Sequence, residues 1–340
     1  MAAELDRARD AGPTLHVVVS CKSRKTMAVS RELCMSSIQA TSLDERAKTW
    51  IERLRKAPAS RRNAADMYAG DHWKLVLKIP AAAGKDAKVK LWVVSAGYGV
   101  VGIDSPLKPY SATFIPTHSD SVVPMGSSFT ASQWWREITR RVPQQGLPRR
   151  VTDIATLAQR DGGYLLLALS KPYARALAED ICAASELLPD RIALVSVGLS
   201  AASNGREGIG KVLLPVEARL KNVHQFRGAM QGLNARIAYN IVAKYKRWYP
   251  NTEKLRHLIR RWVQSADPLT RYDRKKLSDD QIRSYIRTHV NPARRRSKSL
   301  LLRSLRDSGK ACEQGRFSRL YTEVIAGMSG RRHAVGGDRS

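Results

Sequence analysis

The sequence predicts an α/β protein, a mixed or parallel sheet flanked by helices, followed by a basic all-helical C-terminal domain. Short β-branched apolar runs alternate with segments of helical period over the first 200 residues, the pattern of strands crossed over by helices. Around Ser200 to Gly210 the composition turns to Ser, Asn and Gly. Beyond it the chain is helical and basic: from Ala201 on, 31 Lys and Arg stand against 11 Asp and Glu, a net +20 out of +29 for the whole molecule.

In order, Thr14 to Ser20 (TLHVVVS) is short, β-branched and followed by a polar loop, and reads as a first strand. Leu43 to Lys56 has helical periodicity, and a further helix is expected from Gly70 to Ile79. Lys88 to Ser95 (KVKLWVVS) is the second strand. The Gly- and Pro-rich stretch from Ala96 to Pro116 is too long for a simple turn, so it is expected to bind a ligand or pack across the strand ends. Helices follow at Ala131 to Arg141 and Val151 to Gln159, then a strand at Tyr164 to Leu169, a helix at Pro172 to Leu187 and a strand at Arg191 to Gly198. The basic region reads as helices at Pro215 to Lys221, Phe226 to Trp248, Glu253 to Ser265, Ser278 to His289, Ser297 to Asp307 and Cys312 to Ala326. The last two, joined at Asp307-Ser308-Gly309-Lys310, resemble a helix-turn-helix. The expected organisation is a flexible N-terminus (1–13), an α/β catalytic or ligand-binding domain (14–200), a basic helical domain (201–330) and a disordered tail (331–340).

At 340 residues and 43% hydrophobic, the chain is long enough for two cores. No apolar run approaches the roughly 20 residues that span a bilayer, and MAAELDRARDAG is not a secretory signal, so a cytoplasmic, nucleoid-associated protein is expected, with no membrane partner. Cys21, Cys34, Cys182 and Cys312 are scattered without metal-ligand spacing, which points to no metal, no cofactor and no disulfide framework. No obligate protein partner is indicated. The positive excess is not needed for folding, since like charges repel in the compact state, and it reads as a footprint for a polyanion, double-stranded DNA first. The phosphate contacts expected in the basic region are Lys244, Arg247, Arg303, Arg306, Lys310, Arg316 and Arg319. Aromatic residues interleave with them in Lys244-Tyr245-Lys246-Arg247-Trp248-Tyr249, suited to base or sugar packing or to a helix core.

Three loops of the α/β region carry candidate chemistry. Ser20-Cys21-Lys22-Ser23-Arg24-Lys25 follows the first strand, where open α/β sheets bind ligands, and Ser20, Lys22, Ser23 and Lys25 suit a phosphate. Cys21 reads as a structural thiol, with no suitably placed His. The segment Asp66 to Trp73 gathers carboxylates, a phenol and an imidazole within eight residues, and Ser95 to Tyr110 follows a strand with glycines that permit close approach. Gly205 to Lys211 has the spacing of a phosphate-binding loop, but Val212 stands where Ser or Thr must ligate magnesium, so no NTPase site is expected.

Tyr68-x-Gly70-Asp71-x-Trp73, Ser95-x-x-Tyr98-Gly99 with Pro109-Tyr110 after it, and Leu167-Ala168-Leu169-Ser170-Lys171-Pro172-Tyr173 resemble, in order, the successive motifs of the YaaA-like family. The resemblance covers roughly Leu15 to Gly198. It implies a YaaA-like α/β domain and a link to DNA. In that family an Asp precedes Pro-Tyr, and Asp104 stands there, offset by one. By analogy of architecture alone, a module of this kind fused to a DNA-binding tail is similar in plan to bacterial defence proteins that excise modified bases, such as glucosylated hydroxymethylcytosine, from phage DNA.

A glycosylase of this kind needs an extruded base, a pocket and a carboxylate to activate water or stabilise the sugar cation. Asp104 is the first candidate and Asp71 the second. Tyr68, His72, Trp73, Tyr98 and Tyr110 are the candidate base pocket, with a packing role open for each. The alternatives are a non-enzymatic DNA-binding stress protein and a base-exchange enzyme on tRNA or DNA.

Overall fold

The computed structural model describes residues 14–84, 88–144, 152–161, 163–200, 207–245, 251–269, 273–290 and 297–334. The expected flexible start (1–13), Arg247 and residues 335–340 of the tail lie outside them. By its internal contacts the chain divides into two units, Met1–Leu269 and Thr270–Ser340.

The first unit is built on a five-stranded sheet in the order β4-β3-β1-β6-β7. Its strands are β1 (Leu15–Ser20), β3 (Val89–Ser95), β4 (Gly99–Gly102), β6 (Tyr164–Ala168) and β7 (Ile192–Val195), and a separate antiparallel pair joins β2 (Arg62–Asn63) to β5 (Pro106–Leu107). β1 pairs in parallel with β3 and β6, and β6 with β7, whereas β4 folds back antiparallel on β3. The sheet is therefore mixed, and all four expected strands are present. Every residue of β1 and β7 is buried, which is why they read as continuous apolar runs rather than alternating ones.

The helices in chain order are α1 (Leu43–Lys56), α2 (Ala64–Met67), α3 (Asp71–Val76), α4 (Ile79–Ala82), α5 (Ala131–Gln144), α6 (Ile154–Asp161), α7 (Lys171–Ala176), α8 (Ala178–Leu187), α9 (Glu207–Val212), α10 (Leu233–Lys244) and α11 (Thr252–Gln264). Short helical turns also occur at Ala218–Asn222, His224–Phe226 and Met230–Gly232. One helix was expected from Phe226 to Trp248. Gly228, at φ +136°, and the turn ending at Gly232 delay α10 to Leu233. The helix expected at Pro215 to Lys221 is only the 3-10 turn Ala218–Asn222.

The boundary expected near Ser200 lies inside this unit. Ile209, Leu220, Phe226, Ile237, Ile241 and Ile259 belong to the same buried cluster as the sheet residues Val17, Val93 and Leu167. Asn234, in the first turn of α10, fixes the join: its Nδ2 donates to Leu169 O at 2.7 Å, and its Oδ1 accepts from Val197 N at 3.0 Å. One side chain thus ties α10 to the chain leaving both β6 and β7.

The second unit contains β8 (Lys275–Lys276), α12 (Asp279–His289), α13 (Lys298–Asp307), β9 (Lys310–Ala311) and α14 (Gln314–Ala334). It has its own core of Ile282, Ile286, Leu301, Leu305, Phe317 and Leu320, among others. Ser278 and Gln281 form a reciprocal capping box that starts α12. Gly309, at φ +74°, turns the chain after α13, and the two-residue β9 pairs in parallel with β8 before α14 begins. The unit is therefore helical but not all-helical, and α14 continues past the start of the expected tail.

Candidate functional site

The chain leaves β1 towards β3 on one side and β6 towards β7 on the other, so the carboxyl ends of β1 and β6 meet where the connections part. Crevices of that kind hold ligands in open α/β sheets. Here Ser20, the last residue of β1, accepts the Ser170 N–H on its Oγ at 3.0 Å and ties the two strand ends together. The next residue, Cys21, is buried with its Sγ 3.2 Å from the Tyr173 hydroxyl, which comes from α7.

Beside it, at the end of β3, the Ser95 Oγ accepts the N–H groups of Gly97 and Tyr98 at 3.1 and 3.0 Å and donates to the Tyr110 hydroxyl at 2.6 Å. The Tyr110 hydroxyl in turn lies 2.9 Å from that of Tyr68. Burial pushes the phenols of Tyr68, Tyr110 and Tyr173 well above their ordinary range, so all three are neutral hydroxyls at physiological pH.

Two lysines of the β1 loop lie at this cluster. Lys25 places its ammonium 4.7 Å from the Tyr68 ring centre and 4.8 Å from that of Tyr110, and it donates to the Lys22 carbonyl. Lys22 reaches the Gln231 carbonyl at 3.4 Å. Burial lowers the pKa of both amines. Among the described residues neither has a carboxylate partner.

The structure brings Ser20, Lys22, Lys25, Tyr68 and Tyr110 together and places the two candidate carboxylates apart from them. Asp104 is the third residue of an exposed turn closed by Ser105 N to Gly102 O at 3.0 Å. Because β4 runs antiparallel to β3, with Gly102 opposite Trp92 and Ile103 N bonded to Leu91 O, that turn lies back along β3, away from Ser95 and the site. Asp71 is exposed at the first position of α3. Neither carboxylate joins the cluster.

The aromatic residues pack on one another rather than frame an open pocket. Trp73 is buried edge-on to Tyr68 at 4.8 Å and donates its indole N–H to Ala65 O at 2.7 Å. Tyr98 is buried edge-on to Tyr110 at 5.1 Å, with its hydroxyl accepting the Lys108 N–H at 3.2 Å. Ser23 is exposed. His72 has both ring nitrogens shielded from solvent and without a hydrogen-bond partner.

Of the basic-region candidates in the first unit, Lys244 is exposed at the end of α10. It borders a groove of about 430 Å³ with Leu258, Arg261 and Trp262. In the second unit several expected phosphate contacts are engaged within the fold. Arg316 and Arg319 bond Asp279 at 2.7 and 3.2 Å, and Arg319 also bonds Glu323 at 2.9 Å. Lys310 sits 5.5 Å over the Tyr285 ring. Arg306 donates to Cys312 O at 2.9 Å, yet it also lines a groove of about 410 Å³ with Arg274, Lys298, Ser299 and Arg303. Arg303 is largely exposed and lies 3.9 Å from Asp307.

Asn234 and Arg236 are the residues the sequence reading passed over. They lie in a basic region read as a separate domain, and only the shared core reveals that this stretch returns to the strand ends. Among the described residues no group of three or more His, Cys, Asp or Glu side chains is placed to hold a metal ion, and no helix is long and apolar enough to cross a membrane. The chain matches no family model, and no curated protein is significantly similar to it.

Proposed function

We propose that this protein is a YaaA-like DNA-binding protein that excises a modified base from DNA, leaving an abasic site, as in bacterial defence against phage. The observation that carries the reading is the cluster at the β1 and β6 ends. It sets three neutral phenols and a thiol beside two lysines that have no carboxylate partner among the described residues, at the strand ends where sheets of this topology bind ligands. A departing base is a poor leaving group until a proton or hydrogen bond is delivered to it. Buried phenols that keep their protons at neutral pH can donate a hydrogen bond to it, which is the weaker form of that help, since a raised pKa makes them poor proton donors. The chemistry thus rests on activating the leaving group rather than on Asp104. The helix pair α13 and α14 and the groove beside it are assigned to grip the phosphate backbone, broadly and with little sequence information.

The packing of Tyr68, Trp73, Tyr98 and Tyr110 on one another favours a second reading, a protein that binds DNA and cleaves nothing. One experiment separates the two. The protein is incubated with unmodified, uracil-containing and glucosylated DNAs, and released bases are identified by mass. Release of one base, followed by alkali-labile breaks and strongly reduced in Tyr110→Phe, supports excision. Salt-sensitive retention of every DNA with no base released supports binding alone.

A further inference from the structure

His72 is the second residue of α3, and both of its ring nitrogens are enclosed without a partner. A neutral imidazole has one N–H to donate and one lone pair to fill, and leaving such a group unsatisfied costs about 1–3 kcal/mol. Folded proteins rarely tolerate that without a compensating ligand, ion or water. The charged groups that face His72 are both cations: Lys22 from the β1 loop and Arg236 from the first turn of α10. Burial and these two charges hold its pKa down to about 3.

Neither cation is neutralised by a described residue. Arg236 donates to the carbonyls of Phe226 and Ala229 at 2.8 and 2.7 Å, and Lys22 to that of Gln231 at 3.4 Å. The backbone approaches closely here because it is glycine: a Cβ at Gly232 would fall 2.7 Å from Arg236 Nη1 and 3.9 Å from His72 Cβ. Arg46 elsewhere in the unit also donates only to carbonyls, but it lies among five of them and leaves no unpaired neighbour, so it acts as a structural staple. At His72, two unneutralised cations converge on an unpaired donor.

We propose that Lys22, His72 and Arg236 hold a phosphate group, either the diester of a nucleic-acid backbone or the monoester of a nucleotide. An anion there would neutralise both cations and accept the imidazole N–H, and it would sit beside the strand ends where the hydroxyl cluster lies. The assignment moves His72 from base recognition to phosphate binding and adds Arg236, from beyond Ser200, to the site of the α/β unit. It rests on the nucleic-acid reading for its ligand class and is independent of base excision.

The test uses the full chain and three probes: inorganic phosphate, a 5′-mononucleotide and a short oligonucleotide without terminal phosphates. Binding is followed by calorimetry at neutral pH and by the His72 ring resonance. Saturable binding of at least one probe is expected, with the His72 resonance shifted. Affinity should fall at least tenfold in Lys22→Gln and in His72→Phe, neither of which removes a strong structural bond. Lys211→Gln, an exposed lysine outside the cluster, should leave affinity unchanged. A response to the oligonucleotide assigns a backbone diester, and a response confined to the mononucleotide and phosphate assigns a monoester. No saturable binding of any probe, or binding indifferent to both variants, overturns the proposal. Base release from DNA in that case would leave the excision reading standing without it. Monoester binding with no retention of any DNA would keep the site and remove the nucleic-acid reading.

Discussion

In the C-terminal unit, Arg283, Arg316 and Arg319 each lie within 3.2 Å of a carboxylate of Asp279, Asp280 or Glu323. In the N-terminal unit, Lys22, Lys25 and Arg236 have only carbonyls and aromatic rings for partners among the described residues. Charge density alone would rank the regions the other way. Residues 270–340 carry 18 Lys and Arg against 7 Asp and Glu, and residues 1–269 carry 41 against 23. The contrast teaches that a count of cations is not a map of where an anion binds. A guanidinium already forked onto a carboxylate has much of its field cancelled, whereas one that faces carbonyls keeps its charge for a ligand.

The comparison can be broken in several places, with the largest effect expected in the buried network of the first unit. Tyr110→Phe removes the hydroxyl between Ser95 and Tyr68, so that the buried Ser95 O–H loses its acceptor and the Tyr68 hydroxyl loses this partner. Chemical denaturation should show a loss of about 1–3 kcal/mol. A loss below about 0.5 kcal/mol would mean the hydroxyl chain is not a unit.

Two carboxylates, one in each unit, should respond oppositely to pH. Asp180 accepts from Ile154 N and Ala155 N at 2.8 Å each and from the Trp135 indole at 3.0 Å, yet burial, the larger effect, raises its pKa to about 6. Its folded pKa lies above the ordinary value of 3.8, so the folded state holds this proton more tightly than the unfolded chain. The stability from that proton is complete below pH 3.8 and is lost as pH rises through about 6. The span of roughly two pH units corresponds to about 3 kcal/mol. Asp279 is the reverse case: hydrogen bonds from Arg316 and Arg319 lower its pKa, so its contribution is present at neutral pH and lost on acidification. Asp180→Asn should therefore flatten the fall in stability between pH 4 and 6 relative to the parent. Identical pH profiles for the two proteins would contradict this.

Smaller effects separate the groove of the second unit from its ion pairs. Arg303→Gln should weaken DNA binding and reduce the salt slope by about 1, as expected when one phosphate contact is lost. Arg316→Gln should cost little stability, since the pair is solvent-screened, and should change DNA affinity little. The smallest effect is expected of Asp104→Asn. An exposed turn carboxylate that joins none of the hydrogen bonds of the cluster should change stability by less than about 0.5 kcal/mol and leave any base release intact.

The four main strands were legible because burial on both faces leaves uninterrupted β-branched runs such as Val17-Val18-Val19. The three loops expected to carry chemistry are partly adjacent in the fold: Ser20, Lys22, Lys25, Tyr68 and Tyr110 lie together near the ends of β1 and β3. The misplacement of Asp104 has a physical cause: Gly99 to Gly102 form an antiparallel strand, which carries the following turn away from the site. A loop reading keeps Asp104 near Ser95, whereas a hairpin removes it. The boundary at Ser200 was misplaced because composition reports charge and not burial. The apolar positions of α10 and α11, Ile237, Ile241 and Ile259 among them, close the core of the sheet while the polar faces of the same helices supply the charge. Arg236 was invisible for the same reason, since nothing local distinguishes an arginine that turns inward beside two glycines from its solvated neighbours.

The central claim is that pairing, not charge count, decides where this protein binds an anion. It is tested most directly by two double variants that each remove two positive charges, Lys22→Gln with Arg236→Gln and Arg316→Gln with Arg319→Gln, measured for oligonucleotide affinity across a salt series. The account predicts a loss of at least tenfold and a salt slope lower by about 2 for the first pair, with little change for the second. Equal losses in both, or a larger loss in the second, would contradict it.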